Sequence, residues 1–481
     1  MTTLIEPLGK VRTKIVATLG PASHDPNTVR ALVEAGVDVF RLNASHGTLE
    51  QRSADLSTIR AIAEQTDRRI GVLMDLGGPK IRLGPIPGDL VECRLGDEFT
   101  LANDRTTDDP HQLTCSYRTL ANDLTTGDVV LFADGAVAME VTRTSGGEAG
   151  LVVTLPGPLK SHQGINLPGA DLKIKALTEK DLRDLDWAAN HPVEYIGLSF
   201  VREADDVSWL RRELKSRGIR ARIVAKIEKP QAVDHLEEIL AEADAAMVAR
   251  GDLGVEMDVA RVPAIQKQVI AACHRARIPV ITATQMLTSM ESSNRPTRAE
   301  ASDVFNAVLD GSDAVMLSGE TAIGSYPVET VAMMSRIATE AERLLPTARV
   351  ELAASTRAGW IQPITEGVVE AASLASRRLG AALLVVATHS GRTALALSKH
   401  RHPTPTLALA EDVETARALA LYWGVTPVHC PSIADGEQTL SFALDWAKVR
   451  GLVTTGDRVV FLRGTMPGNP VHNAMLVREV E

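Results

Sequence analysis

Five short stretches of the chain carry side chains of the kinds that handle phosphate and metal. In FRLNASHG, Arg41, Asn43 and Ser45 stand two apart, so in an extended strand they face one side. Lys226 and Glu228 of AKIEKP keep the same spacing. In ARGDLGVE, Arg250 leads a glycine turn that exposes Asp252, and in TATQM Thr282 and Thr284 alternate onto one side. The fifth stretch, MDLGGPKIRLG, puts Asp75 at the end of an apolar run and Lys80 and Arg82 just past a Gly-Gly-Pro turn. Glu228 and Asp252 are hard oxygen ligands suited to a magnesium or manganese ion completed by substrate and water. Arg41, Arg82 and Lys226 can neutralise phosphate oxygens, the arginines bidentately and the lysine as a point charge. No cysteine or serine nucleophile motif accompanies them. The inventory therefore points to phosphoryl transfer or enolate chemistry, which depend on positioning and charge neutralisation.

These groups need elements that bring them together. Short apolar runs alternate with helical periodicity: KIVATL (14–19), DVFRLN (38–43), IGVLMD (70–75), YIGLSF (195–200), RIVAKI (222–227), AAMVAR (245–250), PVITAT (279–284) and DAVMLS (313–318). Runs of this kind suit parallel strands buried on both faces, and eight strand–helix units imply a (β/α)8 TIM barrel with its site at the C-terminal strand ends. One polar strand end is as readily a helix cap or an ion pair, and a lone Gly-Gly-Pro turn is only a turn with Lys80 a solvated charge. Five such ends converging on one barrel mouth are not explained by caps. His46 beside the second strand either touches a ligand or is structural, and the other eleven histidines read as surface or packing residues.

The interval 80–170 is rich in short strands and turns and predicts a small β-barrel-like domain inserted after the third strand, placed to act as a lid. Beyond 345, strands alternate with helices again, as in GAALLVVATHSGRTALALSKHR and RVVFLRG, which predicts a separate α/β domain. The expected domains are thus 1–79 with 171–345, 80–170, and 346–481.

Composition narrows the functions. A chain of 481 residues has room for two to four domains, and 44% hydrophobic with 23% charged residues is ordinary soluble globular usage. No apolar run approaches bilayer length, and MTTLIEPLGKVRTK lacks a secretory core, so neither membrane nor export is expected. Cys93, Cys115, Cys273 and Cys430 lie far apart without CxxC spacing, which fits free thiols in a reducing cytoplasm. A net charge of −10 and 3% aromatic residues argue against nucleic-acid binding. Positive charge for an anionic ligand must therefore be local or come from a metal.

The motifs RTKIVATLGPAS, GVDVFRLNASHG, DLGGPKIR, GINLPG, AKIEKP, VARGDLGVE, TATQML, NRPTRAEASDVFNAVLDG and DAVMLSGETAIGSYPVE together resemble the pyruvate kinase family along nearly the whole chain. The resemblance implies transfer of a phosphoryl group from phosphoenolpyruvate to ADP, giving pyruvate and ATP. It assigns Lys226 and Arg41 to the phosphoryl group, with Arg82 and Thr284 also catalytic, Thr284 near the enolate carbon on the proton-delivery path. Glu228 and Asp252 would bind Mg2+ or Mn2+, and amides around Arg250, Gly251 and Asp252 would receive the substrate carboxylate at a helix N-terminus. Asn43, His46, Arg82 and Lys160 would face the nucleotide. The C-terminal domain would bind a phosphorylated allosteric activator through Thr388, Ser390, Gly391, Arg392 and Thr393, and a homotetramer is the family's usual state. Two other readings are a metal-dependent aldolase or lyase on the same barrel and a non-catalytic metabolite sensor. The first leaves Lys226, the insertion and the C-terminal domain unexplained, and the second should have lost Lys226 or a metal carboxylate.

Three departures from the family pattern stand out. Ala44 replaces a common Phe, and His162 and Gln163 stand where a Lys pair is common. Potassium-dependent members usually read D-T-K-G-P-E-I-R, whereas this chain has Leu76, Gly77 and Lys80 in place of Thr, Lys and Glu. In the family, Asn43, Ser45 and Asp75 would hold potassium. Lys80 is expected to take the ion's place by pairing with Asp75, with Leu76 fitting a site that binds no ion, so potassium should not be required.

Overall fold

All eight expected barrel strands form, at Lys14–Thr18, Val39–Asn43, Gly71–Asp75, Tyr195–Leu198, Arg222–Ile227, Ala245–Ala249, Val280–Ala283 and Ala314–Leu317. They pair in parallel, and the first strand bonds both the second and the eighth, which closes the ring. This computed structural model describes residues 11–103, 108–169, 174–345, 360–465 and 471–481. The N-terminal stretch 1–10, both residues of the domain limit 170/171 and the start of the last domain at 346 lie outside the described residues.

Strand alternation sorts the side chains into two layers. Ile15, Phe40, Val72, Ile196, Ile223, Ala225 and Val248 point outward and pack beneath the helices. Val16, Val39, Leu73, Tyr195, Val224, Met247, Ile281 and Met316 point the other way, into the ring. Followed to the C-terminal strand ends, the inward rows arrive at Arg41 and Asn43, at Asp75, and at Lys226 with Glu228. The same period that builds the core therefore aims these polar groups at one place.

The insertion is all-β. Its strands run from Leu90–Cys93 to Ile165–Asn166 as a six-stranded and a two-stranded sheet. The larger sheet is open in its hydrogen bonding, and its barrel-like character lies in one enclosed core that includes Ile81, Leu83, Phe99, Phe132, Val141, Leu151 and Leu159. The C-terminal region is a five-stranded sheet ordered Val425–His429, Thr406–Ala410, Leu383–Ala387, Arg458–Arg463 and Ala474–Glu479, parallel except for the last strand. It closes the N-terminal end of the barrel, opposite the polar strand ends. There the Tyr195 hydroxyl donates to the Ala418 carbonyl at 2.6 Å and Lys14 Nζ to the Val425 carbonyl at 2.8 Å. Fully buried Lys399 reaches Asp313 at 2.6 Å, and Arg401 reaches the same carboxylate at 3.0 Å. Burial alone would raise the Asp313 pKa, but Arg401 and Lys399 outweigh it and hold the carboxyl below its usual range.

Candidate active site

Asp75 is the hub of the barrel mouth. It is 1% exposed, and its Oδ2 accepts from Arg41 Nε at 2.8 Å, with Arg41 Nη2 at 2.6 Å. Its Oδ1 lies 3.5 Å from Lys226 Nζ. Room for this carboxylate depends on Gly197 in the next strand, where a Cβ would come within 2.8 Å of Asp75 Oδ1. Burial would raise the Asp75 pKa, but Lys226 and Arg41 outweigh it and keep the carboxyl below the ordinary range.

Lys226 donates to Ser199 Oγ at 2.7 Å and lies 3.6 Å from Glu228 Oε2. Burial alone would lower its pKa, yet Asp75, Glu228 and Asp252 hold the ammonium above the ordinary lysine value. Glu228 accepts the Phe200 amide at 2.6 Å. Its pKa is pushed up to about 7 by burial and by Asp252, against the opposing pull of Lys226. A buried carboxylate facing a second one is an excess of negative charge that a divalent cation would relieve. Among the described residues no third His, Cys, Asp or Glu joins them as a metal-ligand cluster. The pair thus fits an ion whose remaining ligands come from water and substrate.

One cavity gathers most of the sequence-predicted groups. Arg41, Asn43, Ser45, His46, Asp75 and Leu76 line it from the second and third strand ends, and Lys226, Glu228 and Asp252 from the fifth and sixth. Lys80 and Arg82 line it at the start of the insertion, and Asp134 and Asn166 from deeper within the insertion, so this domain overhangs the mouth as a lid would. Asn166 also donates to Glu256 at 3.1 Å, and Lys229 reaches the same oxygen at 2.7 Å, a tie between insertion and barrel.

Thr284 stands beside the cavity, with its hydroxyl accepting the Gly251 amide at 2.7 Å. That amide, expected to receive a carboxylate, is engaged internally in this arrangement. Arg250 turns its buried guanidinium away from the mouth and donates to the Thr284 carbonyl at 2.7 Å and the Gln285 carbonyl at 3.1 Å, while pairing with Asp303 at 2.6 Å. Thr284 and Gln285 have φ of 67° and 53°, and Phe200 has φ of 58°, so three non-glycine residues at the strand ends sit in the left-handed region. Such backbone costs of order 1–3 kcal/mol per residue and persists where surrounding contacts over-determine it.

Several expectations need correction. Lys80 does not pair with Asp75: its exposed side chain runs past Gly164 of the insertion, whose Cβ position would lie 3.6 Å from Lys80 Cε, and the Asp75 carboxylate is taken by Arg41 and Lys226. Thr282 and Thr284 do not share a side. Thr282 is buried with its hydroxyl on Ser312 at 2.7 Å, and the left-handed turn at Thr284 breaks the alternation. Lys160 is exposed at the end of the strand Gly157–Lys160, outside the cavity lining. Of the five residues expected to contact the effector, Ser390 and Arg392 are exposed, while Thr388, Gly391 and Thr393 are buried. Thr388 Oγ1 accepts the Gly391 amide at 3.0 Å, Thr393 Oγ1 meets His472 Nδ1 at 3.0 Å, and the Ser390 carbonyl accepts from Arg222 at 3.0 Å. The sequence reading also overlooked Ser199 and the Phe200 amide. The signal for Ser199 was present, since it continues the inward row of Tyr195 and Gly197 at the same two-residue step.

Known proteins match this arrangement along its length. Residues 10–331 match the family model described as pyruvate kinase, barrel domain, and residues 366–477 the one described as pyruvate kinase, alpha/beta domain. The chain is 41% identical to pyruvate kinase 2 of Synechocystis over 95% of its own length and 77% of that protein. It is also 41% identical to pyruvate kinase of Mycobacterium tuberculosis, over 95% and 96% of the two chains. A crystal structure of a pyruvate kinase from Cryptosporidium parvum superimposes with a TM-score of 0.90 at 32% identity, covering 98% of this chain and 97% of that one. Two family models spanning barrel and C-terminal sheet, together with full-length relatives, establish that this enzyme belongs to the pyruvate kinase family.

Proposed function

We propose that the enzyme transfers the phosphoryl group of phosphoenolpyruvate to ADP, yielding pyruvate and ATP as the last step of glycolysis in the cytoplasm. The observation that carries this reading is the Lys226 ammonium, fixed between Asp75, Ser199 and Glu228 in a cavity that also presents Arg41 and Asp252. Lys226 and Arg41 neutralise the phosphoryl oxygens in transit, and Asp75 holds both cations in register without itself meeting the substrate. Glu228 and Asp252 would hold Mg2+ or Mn2+, which when bound supplies charge neutralisation between the transferring group and the substrate oxygens. Asn43, His46 and Arg82 border the nucleotide from the rim. Turning the Thr284 hydroxyl toward substrate exchanges its bonds to the Gly251 amide and the Ala283 carbonyl, which leaves that amide for the carboxylate. The catalytic barrel is assigned to 1–79 and 171–345, the lid to 80–170 and the regulatory domain to 346–481.

With phosphoenolpyruvate and magnesium, pyruvate should appear only when ADP is added, with one ATP formed per pyruvate. Pyruvate release without ADP would indicate an aldolase or lyase, and binding without turnover a metabolite sensor. Potassium independence follows from a cation at position 80 on the cavity wall. Regulation is assigned to a phosphorylated activator at the helix start Arg392–Lys399, with Ser390 and Arg392 as its exposed contacts. Arg392→Ala should abolish the response of the substrate saturation curve to whichever of a sugar bisphosphate, a sugar monophosphate or AMP activates the parent. Activation that survives the substitution puts the site elsewhere. A homotetramer, as is usual in the family, is the expected assembly.

A further inference from the structure

The end of the fourth barrel strand carries no group expected to touch substrate, yet it grips two that are. Ser199 is 3% exposed and bonded on both sides. Its hydroxyl lies 2.7 Å from Lys226 Nζ and 2.8 Å from the Leu76 carbonyl. An ammonium can only donate and a carbonyl can only accept, so the directions are fixed: Ser199 gives its proton to Leu76 and a lone pair to Lys226. The next residue, Phe200, turns left-handed with φ of 58° and thereby aims its amide at Glu228 at 2.6 Å. Gly78 closes this corner from the other side. A Cβ there would lie 2.7 Å from the Phe200 ring and 3.0 Å from Ser199 Cβ. The second glycine of the Gly-Gly-Pro turn is thus needed for close approach as well as for its own φ of 62°.

We propose that Ser199 is a positioning residue for phosphoryl transfer, one that holds the Lys226 ammonium out in the cavity and keeps it from settling wholly onto its two carboxylates. Asp75 at 3.5 Å and Glu228 at 3.6 Å flank the ammonium at ion-pair distance, whereas Ser199 makes its one short hydrogen bond. Without the hydroxyl, the flexible lysine stem lets the charge drift toward one of the acids, away from where negative charge develops. The inference rests on the assignment of Lys226 to the transferring phosphoryl group.

The test is steady-state kinetics on Ser199→Ala, Ser199→Cys, Lys226→Met and the double variant Ser199→Ala/Lys226→Met, each checked for an unchanged thermal midpoint. Ser199→Cys keeps a weak donor for Leu76 but accepts poorly from an ammonium. Both single Ser199 variants should lose roughly 10- to 100-fold in kcat, with KM for phosphoenolpyruvate and ADP within threefold of the parent. On the Lys226→Met background the Ser199→Ala loss should vanish, because Ser199 acts through the lysine. A kcat within twofold of the parent in both Ser199 variants overturns the proposal, as does an equal loss with and without Lys226. Should Lys226→Met itself keep full turnover, the underlying assignment of the lysine fails instead, and the two failures are distinguishable.

Discussion

Lys226→Met is expected to lower kcat on the order of 10²–10³ while the protein still folds and binds phosphoenolpyruvate and magnesium. The reason lies in the arrangement of charge. Asp75 keeps Arg41 at 2.6–2.8 Å when the lysine is gone, so the hub of the mouth retains a cation. Glu228 keeps the Phe200 amide and stays beside Asp252, so the metal-binding pair survives and, with the competing ammonium removed, should hold a divalent ion no less well. What is lost is a fixed charge that acts on the phosphoryl group as it moves, and loss of that kind appears in kcat more than in KM. Turnover by continuous pyruvate detection, with magnesium and phosphoenolpyruvate binding followed by calorimetry, separates the cases. A variant retaining more than half of the parent turnover would remove Lys226 from the centre of the reaction. Weakened substrate binding with kcat intact would make it a binding group only.

How much of this was legible in the sequence follows from what each residue depends on. The barrel strands were readable because parallel strands buried on both faces must be short apolar runs, and each of the eight proved so. Arg41, Asn43, Lys226 and Glu228 were readable because strand alternation is strict while backbone stays extended. Where backbone leaves the extended region the rule fails, as at Thr284 and Phe200, whose left-handed turns carry no reliable mark in residue type. The partner of Asp75 was misread for another reason. Lys80 is its neighbour along the chain, but strand pairing sets Asn43 directly opposite Asp75, which brings Arg41 of the same strand to its carboxylate, and barrel curvature brings Lys226. Ionic partners in a closed barrel are set by the ring and not by chain distance.

Asp75 already has two cations, so Lys80 need not neutralise it. Lys80 instead lines the same cavity as Asn43, Ser45 and Leu76, from its exposed side along the insertion. Its charge has the sign and size of potassium's, and the tether means that no ion has to be recruited from solution. A cation at that wall also repels a second one, and Leu76 offers no side-chain oxygen to bind it. The enzyme should therefore need magnesium or manganese but turn over equally well in tetraalkylammonium buffer of fixed ionic strength with and without potassium. Tenfold or greater stimulation by potassium would sink the idea. Lys80→Glu reverses the charge at an exposed position, so its fold should be unaffected. The variant should be poorly active in tetraalkylammonium buffer and partly restored by potassium, since the new carboxylate both removes the tethered cation and adds an acid to the oxygen-rich wall. If Lys80→Glu instead matches the parent in both buffers, the lysine is a solvated surface charge and the cavity does not depend on a monovalent cation at that wall.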